Sequence, residues 1–416
     1  MKDKGKGREF FPTFAVRKKN LIFMAANITL FAQAIATLPK KIIKGIISKS
    51  NSDKFCKGFD TWSQLVSMIF CQFANSTSVR DISNGLRSAT GNLNHLGIRE
   101  APSKSTVAYQ NRHRGSSVFR EIYYACLEHL GQHTFGKRKK FKFKNPIKLL
   151  DSTLISLCLS VFDWAHYKTH KGAVKMHALL DYDMLLPHYV LITDGKKGDN
   201  TAAKQMPVER GTVVVSDRYY CDFELLNLWD SNGVFFVVRH KSNLSFRKVR
   251  ENDLPPVRHQ NVLIDEIVEL TSPQTIGKYP KQLRRVVVYN EEKGITVELL
   301  TNNFNWAAST IGELYKSRWL VEIFFRHVKQ LLHIKSFVGT SQNAVEIQLW
   351  TALITILMLK YLQFKASYDW NLSNLVASLR LNTFTKMDLW KWLNEPFTPP
   401  PDTLGDPNEG VQLSIF

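Results

Sequence analysis

The chain has 416 residues, of which 44% are hydrophobic and 12% aromatic. This length predicts roughly two to four domains, and this composition excludes a globally disordered chain. Lysine and arginine number 56 against 36 aspartate and glutamate residues, which leaves a formal net charge of +20. An excess of this size points to a polyanionic partner, either nucleic acid or an anionic membrane surface.

Cysteine use and hydropathy favour a cytosolic protein over a secreted or membrane-inserted one. The five cysteines are widely spaced and form no Cys-x-x-Cys pair, a pattern typical of reduced thiols. The stretch from Leu21 to Leu38 is interrupted by polar residues and begins too far from Met1 for a typical signal peptide. The apolar run from Leu349 to Leu359 ends at Lys360, short of the roughly 20 residues that span a bilayer. We therefore expect a buried helix there, no membrane contact, and nucleic acid as the partner.

The first third of the chain has helical character. Residues 1–55 predict a basic arm followed by a basic helix. Residues 56–135 predict several short helices, one of them from Trp62 to Ala74, and polar clusters at 76–78 and 102–105 begin two more. Because the last of these helices is polar and basic, the region predicts a helix-turn-helix-like DNA-binding domain. A solvated helix within a helical bundle is equally compatible with this pattern.

The basic run over residues 136–146, which contains two phenylalanines, predicts a linker. Such a segment could lie along a phosphate backbone, although a simple solvated connection explains it as well.

The character of the sequence changes to strands after Pro146. β-prone runs alternate with short helical patterns, which predicts an α/β fold with a mixed sheet over residues 147–340. Residues 241–305 contain further strand-like runs without a long helix, so they predict a β-rich insertion. A strong helix is expected from Ser309 to Ile334, helices over 341–395, and a flexible tail over 396–416. The predicted strands are Ile147–Val161, Val174–Asp181, Pro187–Thr193, Thr212–Ser216, Val234–Arg239, Val262–Leu270, Arg284–Tyr289 and Ile295–Leu300.

One face of the helix expected at 309–334 carries a carboxylate among cations. At about 100° per residue, the side chains of Tyr315, Arg318, Glu322 and Lys329 fall within an arc of about 60°, and Arg326 lies close to the same stripe. A solvated face with ordinary ion pairs is the favoured explanation for such a stripe taken alone. The functional interpretation depends on two aspartates upstream.

Asp151 lies inside an apolar predicted strand, and Asp217 follows a buried one. An ionised carboxylate within a strand is costly to bury unless a cation or a metal accompanies it, and the carboxyl ends of strands are where α/β sheets place their sites. Each aspartate alone is also compatible with a turn or helix cap. Together with Glu322 they form a hard oxygen-ligand set that suits two Mg²⁺ or Mn²⁺ ions and phosphodiester chemistry.

At these residues the sequence resembles the DDE transposases of the IS4 family of insertion sequences. Tyr315-x-x-Arg318-x-x-x-Glu322-x-x-x-x-x-x-Lys329 satisfies each spacing of the family's glutamate motif, and Leu150-Asp151-Ser152-Thr153 and Val215-Ser216-Asp217-Arg218 are similar to its two aspartate motifs. The resemblance covers about residues 56–362.

The resemblance implies an RNase H-like catalytic domain in which Asp151, Asp217 and Glu322 bind the metal. By the same analogy Tyr315, Arg318, Arg326 and Lys329 contact DNA. It implies binding of terminal inverted repeats and target DNA, cut-and-paste transposition, a homodimer on DNA, and a prokaryotic, cytoplasmic, nucleoid-associated protein. Trp306 and Trp319 are candidates for a tryptophan that stacks on a flipped base in some relatives.

Two other chemistries are disfavoured, and two rival functions remain. His166, His170 and His177 lie near Cys158, but no second cysteine stands at zinc-ligand spacing, and residues 168–175 are better explained as a basic turn. The sequence contains no P-loop or GxGxxG pattern, so we expect no nucleotide cofactor. The rivals are a catalytically inactive or domesticated DNA-binding regulator and a nuclease without strand transfer.

Overall fold

The structure is a computed structural model that describes residues 27–397, except 90, 132–140, 158–161, 163, 165, 169–170, 241–243, 255–260 and 332–336. The expected N-terminal arm, the C-terminal tail and most of the predicted basic linker lie outside these residues. So do Cys158, His170 and the side chain of His166.

The described part of the chain before the sheet is helical. The helix predicted from Trp62 begins one residue earlier, at Thr61. It is capped by Asp60, whose carboxylate accepts the Ser63 amide hydrogen. Ser78 begins the next helix and forms a capping box with Asp81. The predicted helix starts are therefore confirmed by their caps. The helices are α1 Leu30–Ala36, α2 Lys40–Ser50, α3 Thr61–Phe73, α4 Val79–Ser88, α5 Leu93–Leu96, α6 Lys104–His113 and α7 Ser117–Gly131.

A mixed sheet follows, and it contains ten strands in the described residues. Its members are β1 Ile147–Leu157, β2 His166–Lys168, β3 Lys171–Asp181, β4 Pro187–Asp194, β5 Val213–Ser216, β6 Phe235–Arg239, β7 Phe246–Glu251, β8 Val262–Leu270, β9 Leu283–Asn290 and β10 Ile295–Thr301. Interspersed with them are α8 Asp199–Ala203, a 3₁₀ turn at Arg218–Tyr220, α9 Phe223–Ser231 and α10 Pro273–Ile276.

Strand pairing divides the sheet into three parts. β4, β3 and β1 are antiparallel, β1, β5 and β6 are parallel, and β6, β10, β9, β8 and β7 continue as an antiparallel extension. Strands β7 to β10 of this extension fall within the β-rich insertion predicted over 241–305, and they prolong the same sheet. Since β1 and β5 are parallel and Leu150 pairs with Ser216, Asp151 and Asp217 follow directly paired residues on neighbouring strands.

The prediction of one continuous helix from Ser309 to Ile334 is wrong. The chain forms α11 Ala308–Lys316 and α12 Trp319–Leu331, separated by a turn at Ser317 and Arg318. The Ser317 hydroxyl donates to the Glu313 carbonyl at 3.1 Å, and the Arg318 amide donates to the Tyr315 carbonyl at 3.0 Å. A serine that bonds back to the preceding turn competes with the regular ladder, so the helix is interrupted at the motif's arginine.

Three helices end the described chain: α13 Gln342–Lys365, α14 Leu372–Leu381 and α15 Leu389–Asn394. By length and composition α13 could cross a membrane, but 83% of its apolar window is buried inside the protein. It contacts α3, α6, α7 and α14, so the apolar run at Leu349–Leu359 is a core helix, as predicted.

Candidate active site

The candidate site begins with Asp151 on β1. Successive side chains of a strand point to opposite faces, and Asp151 points to the face covered by α12, which packs against β1. One carboxylate oxygen, Oδ1, accepts the Ser152 amide hydrogen at 2.8 Å, and Oδ2 lies 3.3 Å from Nη1 of Arg318. The Asp151 side chain is only 18% exposed, so this arginine is its partner in a largely water-excluded position.

Arg318 joins the strand to the helix. Its Nη2 donates to Oε1 of Glu322, one helical turn further along the chain, while its Nη1 faces Asp151. Its guanidinium carbon also lies 5.9 Å from the centre of the Tyr315 ring. The structure therefore brings Tyr315, Arg318, Glu322 and Asp151 together, although Tyr315 and Glu322 lie on two different helices.

Asp217 lies at the carboxyl end of β5 and also caps the following turn. Its Oδ1 accepts the Tyr219 amide hydrogen at 2.9 Å, so the cap that its sequence context allowed is present. Burial raises the pKa of Asp217, and the Tyr219 bond and the charge of Arg318 oppose that rise. The charge of Asp217 in turn raises the pKa of Asp151. Asp217 can thus cap the turn and also lie beside Asp151.

The pKa of Asp151 is raised from 3.8 to about 7. Burial is the largest cause; the Ser152 amide and Arg318 act in the opposite direction, and the charges of Asp217 and Glu322 add to the rise. A carboxyl group held among other carboxylates in a low-dielectric position demands a cation. In this structure the guanidinium of Arg318 supplies that charge.

The donor chemistry of the three carboxylates fits a hard divalent cation. Oxygen-only ligands with waters completing the shell suit Mg²⁺ or Mn²⁺. As the side chains lie, no group of three His, Cys, Asp or Glu residues in the described chain is close enough to ligate one ion, and Arg318 contacts both Asp151 and Glu322. Asp151, Asp217 and Glu322 are the residues that could hold a divalent cation here.

The other residues of the predicted stripe extend away from this centre. Lys329 is half-buried and lies seven residues beyond Glu322 on α12, which is about 10 Å along the helix axis. Arg326 is exposed, with its guanidinium carbon 5.8 Å from the centre of the Trp319 ring. Trp319 is 45% exposed and also faces Lys293. Trp306, by contrast, stacks on Phe143 at 4.3 Å and belongs to the packing between the linker end and the sheet.

Asp199, at the start of α8, is a charged residue near the centre that no sequence pattern singled out. Burial would raise the pKa of Asp199, but contacts with His177, Ser152 and Lys175 lower it to about 2. Lys175 lies inside β3, so the basic turn predicted over 168–175 is wrong from residue 171 onward. The alternation of Lys175 and His177 within a predicted strand was the available signal, because two polar side chains on one buried face require a partner.

Two protein families match parts of this chain. The family described as "Transposase DDE domain" matches residues 142–358, and one described as "Domain of unknown function (DUF4372)" matches residues 26–99. The first covers more than half of the chain and includes Asp151, Asp217 and Glu322.

Curated relatives are similar over most of the same region. The probable transposase for insertion sequence element IS5377 of Geobacillus stearothermophilus is 30% identical over 57% of this chain and 62% of its own length. The putative transposase y4zB of Sinorhizobium fredii is 31% identical over 62% of this chain and 71% of its own. The putative transposase for insertion sequence element IS4SA of Synechocystis is 24% identical over 74% of this chain and 86% of its own.

The family match and the mixed sheet with its β-rich extension together confirm the predicted RNase H-like fold class. The chain belongs to the transposase DDE domain family, as a DDE transposase of the IS4 family of insertion sequences.

Proposed function

We propose that this protein binds the terminal inverted repeats of an insertion sequence and moves that element by cut-and-paste transposition. In the first reaction water attacks a phosphodiester at the element end and releases a 3′-hydroxyl. In the second that hydroxyl attacks a phosphodiester of target DNA and displaces a new 3′-hydroxyl, so the number of phosphodiester bonds is conserved. The supporting observation is the meeting of Asp151 from β1 and Glu322 from α12 at Arg318, beside the β5 end that carries Asp217.

The three carboxylates would hold the divalent cations, Mg²⁺ or Mn²⁺ and two in number, on which this family's chemistry depends. Such ions, when bound, activate the attacking oxygen and stabilise the leaving one. The residues of this chain would supply the ligand oxygens. Asp151 and Asp217 present theirs from neighbouring strand ends, and Glu322 presents its own from the helix that covers them.

Cations around the carboxylates would fix the DNA backbone. Arg318 can exchange its two carboxylate partners for a phosphate, because a guanidinium binds both bidentately. Lys329 and Arg326 continue the positive surface along α12. Next to Tyr315 and Trp319, a cleft of about 750 Å³ opens between α11 and the turn that joins β9 to β10, and we assign it to DNA contact.

The same proposal includes the assembly and the cellular setting. Cut-and-paste joining acts on two element ends at once, so we expect a homodimer on double-stranded DNA. Transesterification needs no nucleotide cofactor. We expect the protein in the prokaryotic cytoplasm, associated with the nucleoid and not with a membrane.

The test is Mg²⁺-dependent cleavage of a duplex that contains an element end. Glu322→Gln removes a ligand charge at nearly constant shape and keeps an acceptor for Arg318. We expect cleavage to fall by at least about 10³-fold while DNA affinity stays within about threefold. Glu251→Gln, on the exposed edge strand β7, is the matched control and should cleave normally. Full cleavage by Glu322→Gln would remove the assignment.

A second assay separates the proposal from its rivals. Pre-cleaved element ends are incubated with target plasmid, and joined products are counted. A regulator would bind ends without cleaving them, and a nuclease would cleave them without forming joined product. Wild-type protein that yields joined product only with divalent metal supports transposition.

A further inference from the structure

A partly buried polar cluster lies on the face of the sheet opposite to Asp151. Ser152 follows Asp151 on β1 and therefore points to the other face, where His177 of β3 is its register partner. Lys175, two residues earlier on β3, points the same way. Asp199 at the start of α8 faces all three. We call Ser152, Lys175, His177 and Asp199 the rear cluster.

Asp199 is the acceptor at the centre of the rear cluster. The Ser152 hydroxyl donates to its Oδ1 at 2.6 Å, and the Lys175 ammonium lies 3.2 Å from the same oxygen. Nδ1 of His177 lies 3.4 Å away and makes no closer hydrogen bond among the described residues. The His177 side chain is fully buried and Lys175 is 13% exposed, so these contacts replace water for groups that could not remain unpaired.

Ser152 connects this cluster to the candidate site. Its amide donates to the Asp151 carboxylate at 2.8 Å, while its hydroxyl is held by Asp199 on the other side of the sheet. The same residue thus orients Asp151 with its backbone and is anchored through its side chain. A shift of Ser152 would move the Asp151 carboxylate directly.

The rear cluster also reaches the segment that carries Asp217. Tyr220 ends the 3₁₀ turn that Asp217 caps, and its side chain is 1% exposed. Helix α8 packs against that turn, and the charge of Asp199 acts on both Tyr220 and Asp217. Asp199 therefore contacts β1 directly and supports the turn after β5, the two elements that present the aspartates.

We propose that Asp199 is a positioning residue that, through Ser152 and α8, fixes the Asp151 and Asp217 carboxylates at the spacing that divalent metal requires. This inference rests on the proposed function. Asp199 lies on the face of the sheet opposite to Asp151, so its loss should weaken metal binding and leave DNA binding unchanged. Groups that orient metal ligands typically change metal affinity by about 10- to 100-fold.

The experiment measures Mn²⁺ binding to the DNA-free protein by electron paramagnetic resonance, alongside cleavage at increasing Mg²⁺. For Asp199→Asn we expect Mn²⁺ affinity to fall by about tenfold, the Mg²⁺ concentration for half-maximal cleavage to rise similarly, and the Kd for end DNA to stay within about twofold. Saturating metal should restore most of the cleavage rate. Ser152→Ala is a smaller change that should shift both metal measurements in the same direction, and the double variant should be no worse than Asp199→Asn.

Asp230→Asn is the matched control. Asp230 likewise accepts from two side chains, the Asn302 amide at 2.7 Å and the Lys281 ammonium at 2.6 Å. It lies in α9 just before β6, at the opposite end of the parallel strands. Its substitution should lower stability without changing metal affinity. If Asp199→Asn and Ser152→Ala bind and use metal like wild type, the positioning role is overturned and the proposed function survives. Wild-type protein without metal-dependent cleavage would overturn the proposed function instead.

Discussion

Arg318 supplies positive charge to the candidate site in this structure. Its guanidinium lies between Asp151 and Glu322, where it offsets part of the repulsion among three carboxylates. The planar fork of arginine can face two carboxylates at once, which a lysine ammonium cannot do with the same geometry.

The raised pKa of Asp151 predicts that metal affinity depends on pH. The folded-state pKa of about 7 exceeds the ordinary value of 3.8, so the metal-free protein binds a proton at Asp151 below neutral pH. A cation must displace that proton. Mn²⁺ affinity should therefore rise by up to about tenfold per pH unit between about pH 5 and 7 and level off above it. Titrations at several pH values check this, and an affinity independent of pH would contradict it.

The same shift predicts the effect of Asp151→Asn on stability. A protein loses stability as pH rises from about 4 through 7 if one of its carboxyl groups has a higher pKa in the folded than in the unfolded state. The ionised Asp151 therefore destabilises the metal-free protein at pH 8. Removing that charge should raise the metal-free Tm by about 2 °C at pH 8 and abolish the metal-induced increase in Tm. Differential scanning calorimetry with and without Mn²⁺ tests both. A lower Tm for this variant would mean that the ion pair between Asp151 and Arg318 stabilises the protein by more than the burial of the Asp151 charge destabilises it.

At the scale of elements, α6 offers neighbouring arginines in different settings. Arg114, just after α6, is 5% exposed and donates to the Gln64 side chain at 2.6 Å and the Phe59 carbonyl at 3.0 Å. Arg112 points to solvent. Arg114→Ala should cost about 3 kcal/mol in the free energy of unfolding, because it leaves several buried acceptors without a donor.

Arg112→Ala, by contrast, should change stability by less than about 0.5 kcal/mol. If α6 contacts DNA, as the helix-turn-helix-like prediction holds, this variant should bind element ends more weakly and with a smaller salt dependence. Denaturant unfolding and filter binding on both variants give the two measurements. Unchanged DNA affinity in Arg112→Ala would favour the alternative in which α6 is only a solvated member of the bundle.

Elements with strong local signals were predictable from sequence, and those defined by distant partners were not. Capped helices such as α3 and α4, and strands with apolar runs such as β5, appear where the pattern indicated. β7 was missed because its side chains are largely exposed and its pairing with β8 defines it. Asp199 was missed for the same reason: its role arises from Ser152 and Lys175, which lie 47 and 24 residues earlier.

At the scale of the whole molecule, helices from both ends of the chain share one core. The Asn343 side chain of α13 donates to the Arg114 and Asn111 carbonyls at 2.7 and 2.9 Å, and Arg380 of α14 donates to the Phe73 carbonyl at 2.9 Å. More than 200 residues separate these partners. Hydrophobic periodicity predicts each helix but cannot say which distant helix covers it, so this association was beyond the sequence analysis.

The net charge of +20 makes a prediction for the whole molecule. Binding to DNA releases counterions in proportion to the phosphates neutralised, so affinity for end-containing duplex should fall by about 10³-fold or more between 50 and 200 mM salt if roughly six or more phosphates are contacted. Fluorescence anisotropy across this range gives the slope.

Lys41 and Lys44, exposed on α2, serve as a probe: changing both to glutamine should reduce the slope by roughly 0.9 for each that meets a phosphate. The matched change of Lys248, exposed on β7 and paired with Glu251, should leave the slope nearly unaltered unless the β-rich extension also contacts DNA. A slope near zero for the wild-type protein would mean that its positive charge serves another purpose than binding the nucleic-acid backbone.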